Sequence, residues 1–178
     1  YDTQSYVMTG SVGSVEINNE NSASVTGIAG TSAVGTVTIT NDNTASITGL
    51  AGTSAVGSVT ITANITTYAV TVATGTNSYG TGNKFYIDGS VSPTLNLSEG
   101  STYRFDQSDS SNSTHPLRFS TTANGSHGGG SEYTTGVTTN GTPGSSGAYT
   151  QITVASGAPT LYYYCTNHSG MGGQANTP

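Results

Sequence analysis

Seventeen residues in the N-terminal third occur twice almost unchanged. Ala23-Ser-Val-Thr-Gly-Ile-Ala-Gly-Thr-Ser-Ala-Val-Gly-Thr-Val-Thr-Ile39 returns as Ala45-Ser-Ile-Thr-Gly-Leu-Ala-Gly-Thr-Ser-Ala-Val-Gly-Ser-Val-Thr-Ile61, a period of 22 residues. A unit so short, with only small and aliphatic apolar side chains, cannot close a core by itself. It must stack on its neighbours or associate with other chains, as repeat proteins do. Val37-Thr-Ile39 and Val59-Thr-Ile61 alternate apolar and hydroxyl side chains with period two, as do Ser24-Val-Thr26 and Ser46-Ile-Thr48. Each unit therefore reads as two short strands, with bends at Gly27, Gly30 and Gly35 and at their equivalents Gly49, Gly52 and Gly57. The register reaches back to Thr9-Gly-Ser-Val-Gly-Ser-Val-Glu-Ile17, which matches the second half of the unit. With Tyr1 where an initiating Met would stand, the expectation is a processed chain or a portion of a longer one, with more repeats upstream.

The chain is all-β by composition. Of 178 residues only 7% are charged, while Gly, Ser, Thr and Asn abound and β-branched residues and Tyr supply most of the apolar surface. That length holds one ordinary domain and something smaller. Residues 1–63 form the repeat region, 64–67 the junction, and 68–178 a second domain. Strands are expected there at Tyr68–Val72, Lys84–Asp88, Pro93–Leu97, Ser101–Phe105, Leu117–Ser120, Tyr149–Val154 and Leu161–Tyr164. The Gly-rich stretch from Thr74 to Asn83 reads as a turn, and residues 121–148 as a long loop anchored by Tyr133 and Val137. A net charge of −6 with three basic residues leaves no basic patch, which argues against nucleic acid. Apolar runs are too short for membrane insertion by a helix. The one Cys excludes an intrachain disulfide.

That Cys falls in the densest chemistry of the chain, Leu161-Tyr-Tyr-Tyr-Cys165-Thr-Asn-His168-Ser-Gly-Met171-Gly-Gly. Thiolate, imidazole and thioether follow one another at three-residue intervals behind a strand-like aromatic run. Copper prefers soft sulfur and imidazole, and an electron-transfer copper site uses two His, one Cys and a weak axial Met. His115, in a polar loop before Leu117–Ser120, supplies the second imidazole. Pro116 would fix its backbone, and Gly170, Gly172 and Gly173 would let the later loop close tightly. His127 has no partner at a ligand spacing and reads as a solvated loop residue. Asp106, Asp109 and Asn112 offer hard oxygens at a spacing that matches no calcium loop.

On these residues, the region from about 66 to 174 resembles the cupredoxins, the blue-copper β-sandwich family, and the Cys-x-x-His-x-x-Met loop is most similar to that of amicyanin-type members. The resemblance implies a cupredoxin-like β-sandwich after the repeat array. It also implies a type 1 copper site ligated by His115, Cys165, His168 and Met171. Four protein ligands leave no open position for a substrate, so no catalysis is expected.

The repeat wording and the Tyr-Tyr-Tyr-Cys-Thr-Asn-His-Ser-Gly-Met-Gly-Gly ending together resemble virion structural and tail-fibre proteins of marine bacteriophages. That resemblance implies an extracellular, rigid, multimeric virion protein (a fibre, appendage or decoration), in which copper bound by the cupredoxin-like module would stabilise the native state. Its partners would be other virion proteins and further copies of itself, a trimer being the usual assembly of such fibres. Two other readings stay open. One is a copper electron-transfer protein tethered by a β-repeat stalk. The other is an adhesin or receptor-binding tip whose 121–148 loop and Tyr residues contact host surface glycans.

Overall fold

The computed structural model describes residues 64–177 with their side chains and, ahead of them, seven short strands by their backbone. The chain divides into two units, Tyr1–Asn64 and Ile65–Pro178.

In the first unit the strands are β1 (Val15–Asn19), β2 (Ser22–Thr26), β3 (Ala29–Gly30), β4 (Val37–Asn41), β5 (Thr44–Thr48), β6 (Ala51–Gly52) and β7 (Val59–Ala63). All their pairings are parallel and join like to like. Val15 faces Val37 and Val37 faces Val59, Ser22 faces Thr44, and Ala29 faces Ala51. The sequence period has thus become the hydrogen-bond register, each strand lying beside its own equivalent one unit on. A full unit contains three strands rather than the expected two, because Ala29–Gly30 pairs with Ala51–Gly52 in place of the bends expected at Gly30 and Gly52. Two residues are too few to display a period-two pattern, so this strand leaves no signal. Thr9 to Ser14 and the bends expected at Gly27, Gly35, Gly49 and Gly57 lie outside the described residues.

The second unit opens with β8 (Ile65–Asn77), so that residues 65–67 of the expected junction already belong to a strand. β9 (Gly80–Ile87) returns antiparallel beside it, from Val70 opposite Ile87 to Asn77 opposite Gly80. The turn expected over Thr74 to Asn83 is therefore only Ser78 and Tyr79; the Gly residues continue the ladder. Gly75 is small for a packing reason, since a Cβ there would lie 2.6 Å from the Tyr86 hydroxyl and 2.8 Å from Val91.

β10 (Ser90–Val91), β11 (Leu95–Asn96), β12 (Thr102–Asp106), β13 (Leu117–Ser120), β14 (Glu132–Tyr133), β15 (Val137–Asn140), β16 (Tyr149–Thr153), β17 (Leu161–Cys165) and β18 (Gly173–Asn176) complete two sheets. One has the order β10-β9-β8-β12-β16-β15, the other β11-β18-β17-β13-β14. Two single-turn 3-10 segments, Ser110–Asn112 and Gly125–Gly128, interrupt the loops. No described helix is long and apolar enough to cross a membrane.

Alternation along the strands makes the core. Phe85, Ile87, Phe105 and Ile152 from the first sheet meet Leu117, Phe119, Leu161 and Tyr163 from the second, all buried. Phe105 and Phe119 cross the interface edge-to-face with centroids 5.4 Å apart. Full burial of each such side chain stabilises the fold by about 1.5–3 kcal/mol. Tyr133 and Val137 pack against this core as anchors of the 121–148 segment, which carries β14 and β15 as well as loop. The second unit, as described, is an all-β, two-sheet sandwich.

Candidate metal centre

Period-two alternation on β17 turns Leu161, Tyr163 and Cys165 to one face, and all three are buried. β13 lies antiparallel beside it with Leu117 opposite Cys165, which brings His115, two residues before Leu117, alongside the segment that follows Cys165. Thr166 N–H donates to the Pro116 carbonyl at 3.1 Å, and the Asn167 amide donates to the Thr114 carbonyl at 2.9 Å, so the two ligand segments are stitched together.

The result is a convergence of three donor atoms. Cys165 Sγ lies 3.8 Å from His115 Nδ1 and 3.7 Å from His168 Nδ1, and one ligand atom from each residue falls within 4.8 Å of the others. The imidazole rings are 4.5 Å apart and tilted by 47°. Metal–nitrogen and metal–sulfur bonds of about 2.0–2.3 Å, opened to a trigonal angle, separate nitrogen from sulfur by roughly 3.8 Å. The donor spacing therefore suits one metal ion held by two nitrogens and a sulfur, and the cluster could hold one. Met171 is buried in the same loop, with 1% of its surface exposed. His168 is the exposed member of the set, while His115 and Cys165 are buried.

Burial at the site disfavours charge on both the thiol and the imidazole of the buried pair. Burial pushes the Cys165 thiol up, partly offset by backbone N–H groups of Asn167 and His168 that donate to the sulfur. His115 is pulled below its ordinary value by burial first and by the neighbouring His168 second. A metal ion held here would take the place of the thiol proton and offset the charge of the buried thiolate, and it would find the His115 nitrogen already neutral.

The supporting hydrogen bonds leave no mark in the spacing. Gln107, 1% exposed, donates through Nε2 to the His115 carbonyl at 2.8 Å and accepts from Leu117 N–H at 3.1 Å, holding both sides of Pro116. On the other flank, three successive carbonyls of the ligand loop face the β8–β9 hairpin. Lys84 Nζ donates to Gly170 O at 2.8 Å, Phe85 N–H and Ser92 Oγ to Met171 O at 2.9 and 3.0 Å, and Asn77 Nδ2 to Gly170 O and Gly172 O at 3.1 Å. Asn124 accepts from Gly170 N–H at 2.7 Å and donates to Ser169 Oγ at 2.9 Å. Gly170 has φ +73°, and Gly172 has no room for a Cβ, which would meet the Tyr163 carbonyl oxygen.

His127 is exposed, as expected of a loop residue, but its Nε2 lies 3.1 Å from the Cys165 carbonyl oxygen and its ring stands edge-on to Tyr164. Nothing in Gly125-Ser-His-Gly-Gly-Gly130 signals this contact, which spans 38 residues. Asp106, Asp109 and Asn112 do local work instead of gathering at one point. Asp106 accepts from Ser108, Asp109 caps the 3-10 turn through Ser111, and buried Asn112 donates to the Val70 carbonyl at 2.7 Å. No family model, no curated protein and no solved structure matches this chain.

Proposed function

We propose that residues 65–178 form a cupredoxin-like copper-binding module that follows a β-repeat array in the chain of an extracellular virion structural protein. The observation that carries the copper reading is the convergence of Cys165 Sγ with the Nδ1 atoms of His115 and His168 at trigonal spacing. The thiolate and the two imidazoles would favour copper over harder ions, and Met171, from the same loop, would add a soft thioether. When bound, the metal would supply a one-electron couple and a cross-link between the segment just before β13, the end of β17 and the loop before β18. The chain's own residues do the rest: the backbone N–H groups at Asn167 and His168 steady the thiolate, Gln107 holds the His115 backbone, and the hairpin holds the Met171 loop. Four protein ligands on one ion would leave no open position for a substrate, so the module is read as non-enzymatic.

The appendage reading rests on the repeats. Like-on-like parallel pairing at a fixed period can be continued by each further unit, which suits a long, homo-oligomeric fibre more than a diffusible carrier. Copper there would act chiefly as a staple, stabilising the native state by binding it alone. The electron-transfer alternative draws on one feature, the exposure of His168 at the rim.

The test is titration of the reduced protein with copper(II), read by visible absorption and EPR. An intense thiolate-to-copper band saturating at about one ion per chain, and absent from Cys165→Ser, is the expected result. A colourless protein, or a band that survives in Cys165→Ser, would remove the copper reading. Light scattering on the same sample should find a stable multimer; a monomer would favour the tethered carrier.

A further inference from the structure

A cleft of about 380 Å³ opens between the tip of the β8–β9 hairpin and β17–β18, next to the Gly172–Gly173 turn. Its lining has an unusual composition. No Asp, Glu, Lys, Arg or His contributes; the walls are amides (Asn77, Asn124, Gln174), hydroxyls, tyrosines, one valine and glycine backbone. Among the described residues, two large hydrophobic side chains are left exposed by the fold, Tyr79 at 47% and Val91 at 38%, and both line this one cleft. Scattered exposed apolar residues need no explanation, but their confinement to a single concavity marks a contact site.

We infer that this cleft binds a neutral saccharide. Sugar rings present an apolar C–H face and a rim of hydroxyls. Tyr79, whose backbone N–H donates to Asn77 Oδ1 at 2.9 Å at the hairpin turn, offers an aromatic ring for the first. Ser78, Thr94 and Tyr162 keep hydroxyls with no hydrogen-bond partner among the described residues, and so does Gln174 Oε1, which together answer the second. Asn77 and Tyr163 are already committed, to the ligand-loop carbonyls and to the Pro93 carbonyl at 2.7 Å, so they make the floor rigid instead of contacting ligand. The lack of ionisable side chains selects against phosphate, carboxylate and amine ligands, and the net charge of −6 disfavours anionic glycans further. The cleft is at the hairpin tip, apart from the 121–148 segment that the sequence suggests for such contacts, with Asn124 as their one shared residue.

The inference does not depend on copper, and the experiment uses metal-free full chain. Isothermal titration against neutral di- and trisaccharides of glucose, galactose and N-acetylglucosamine, with sialyllactose as the anionic comparison, should find a neutral ligand with a dissociation constant of about 1 mM or tighter. Tyr79→Ala, an exposed position, should keep the wild-type circular dichroism and weaken that binding about tenfold or more. Gln174→Ala should weaken it as well, and Thr139→Ala on β15 should leave it unchanged. Absence of heat from every neutral sugar at about 10 mM, binding that survives Tyr79→Ala, or a preference for sialyllactose would each overturn the assignment.

Discussion

His115 shows how one buried side chain ties metal capacity to stability. Its pKa is below the ordinary 6.5, so the folded state holds the neutral ring. The stability this contributes is present above that value and lost as pH falls, because the unfolded chain takes up the proton first. The metal-free protein should therefore lose urea resistance as pH falls through and below 6.5, with a flatter profile in His115→Gln. Cys165 acts in the opposite sense: its raised pKa makes copper binding release a proton, so copper affinity should rise with pH. Gly172 is a purely steric case. Gly172→Ala drives a methyl group at the Tyr163 carbonyl and should cost about 2 kcal/mol or more in urea unfolding. The candidate ligands are legible in the sequence because soft donors at fixed spacing are rare by chance. His127 and Gln107 are not, since each acts on a backbone carbonyl through a contact that only the folded register creates.

The β8–β9 hairpin is the element on which the site's precision depends. Period-two reasoning places Tyr68–Val72 and Lys84–Asp88 well but reads the Gly-rich connection as a turn. Gly signals low strand propensity, yet here cross-strand partners and the need for space under Tyr86 and Val91 override it. That extra length carries Asn77 to the ligand loop, where one amide serves the Gly170 and Gly172 carbonyls and the Ser92 hydroxyl. Asn77→Ala removes the side-chain donor to Gly172 O and leaves Gly170 O to Lys84, and should cost about 1–3 kcal/mol in denaturant unfolding. The same variant should release bound copper faster to a chelator, while Asn140→Ala, whose amide bonds Gly147 O, should release it at the wild-type rate. In the repeat array the opposite lesson holds. The period is plain, but the two-residue strand at Ala29–Gly30 is invisible because alternation needs more residues than it has.

At the scale of the whole molecule, the unit Ile65–Pro178 has its own two sheets and its own buried core. A chain of residues 65–178 should fold alone, bind copper with the stoichiometry of the full protein and remain monomeric, while the repeat-bearing chain assembles. Free copper at a thousandfold excess over its dissociation constant should raise the stability of either by about 4 kcal/mol, read as a higher urea midpoint. The central proposal, that His115, Cys165 and His168 hold one copper ion, is tested most directly by diffraction from the copper-loaded protein at the copper absorption edge. A single anomalous peak within bonding distance of Cys165 Sγ and of Nδ1 on both His115 and His168 is the expected result. A peak elsewhere, or none in a crystal containing stoichiometric copper, would contradict it.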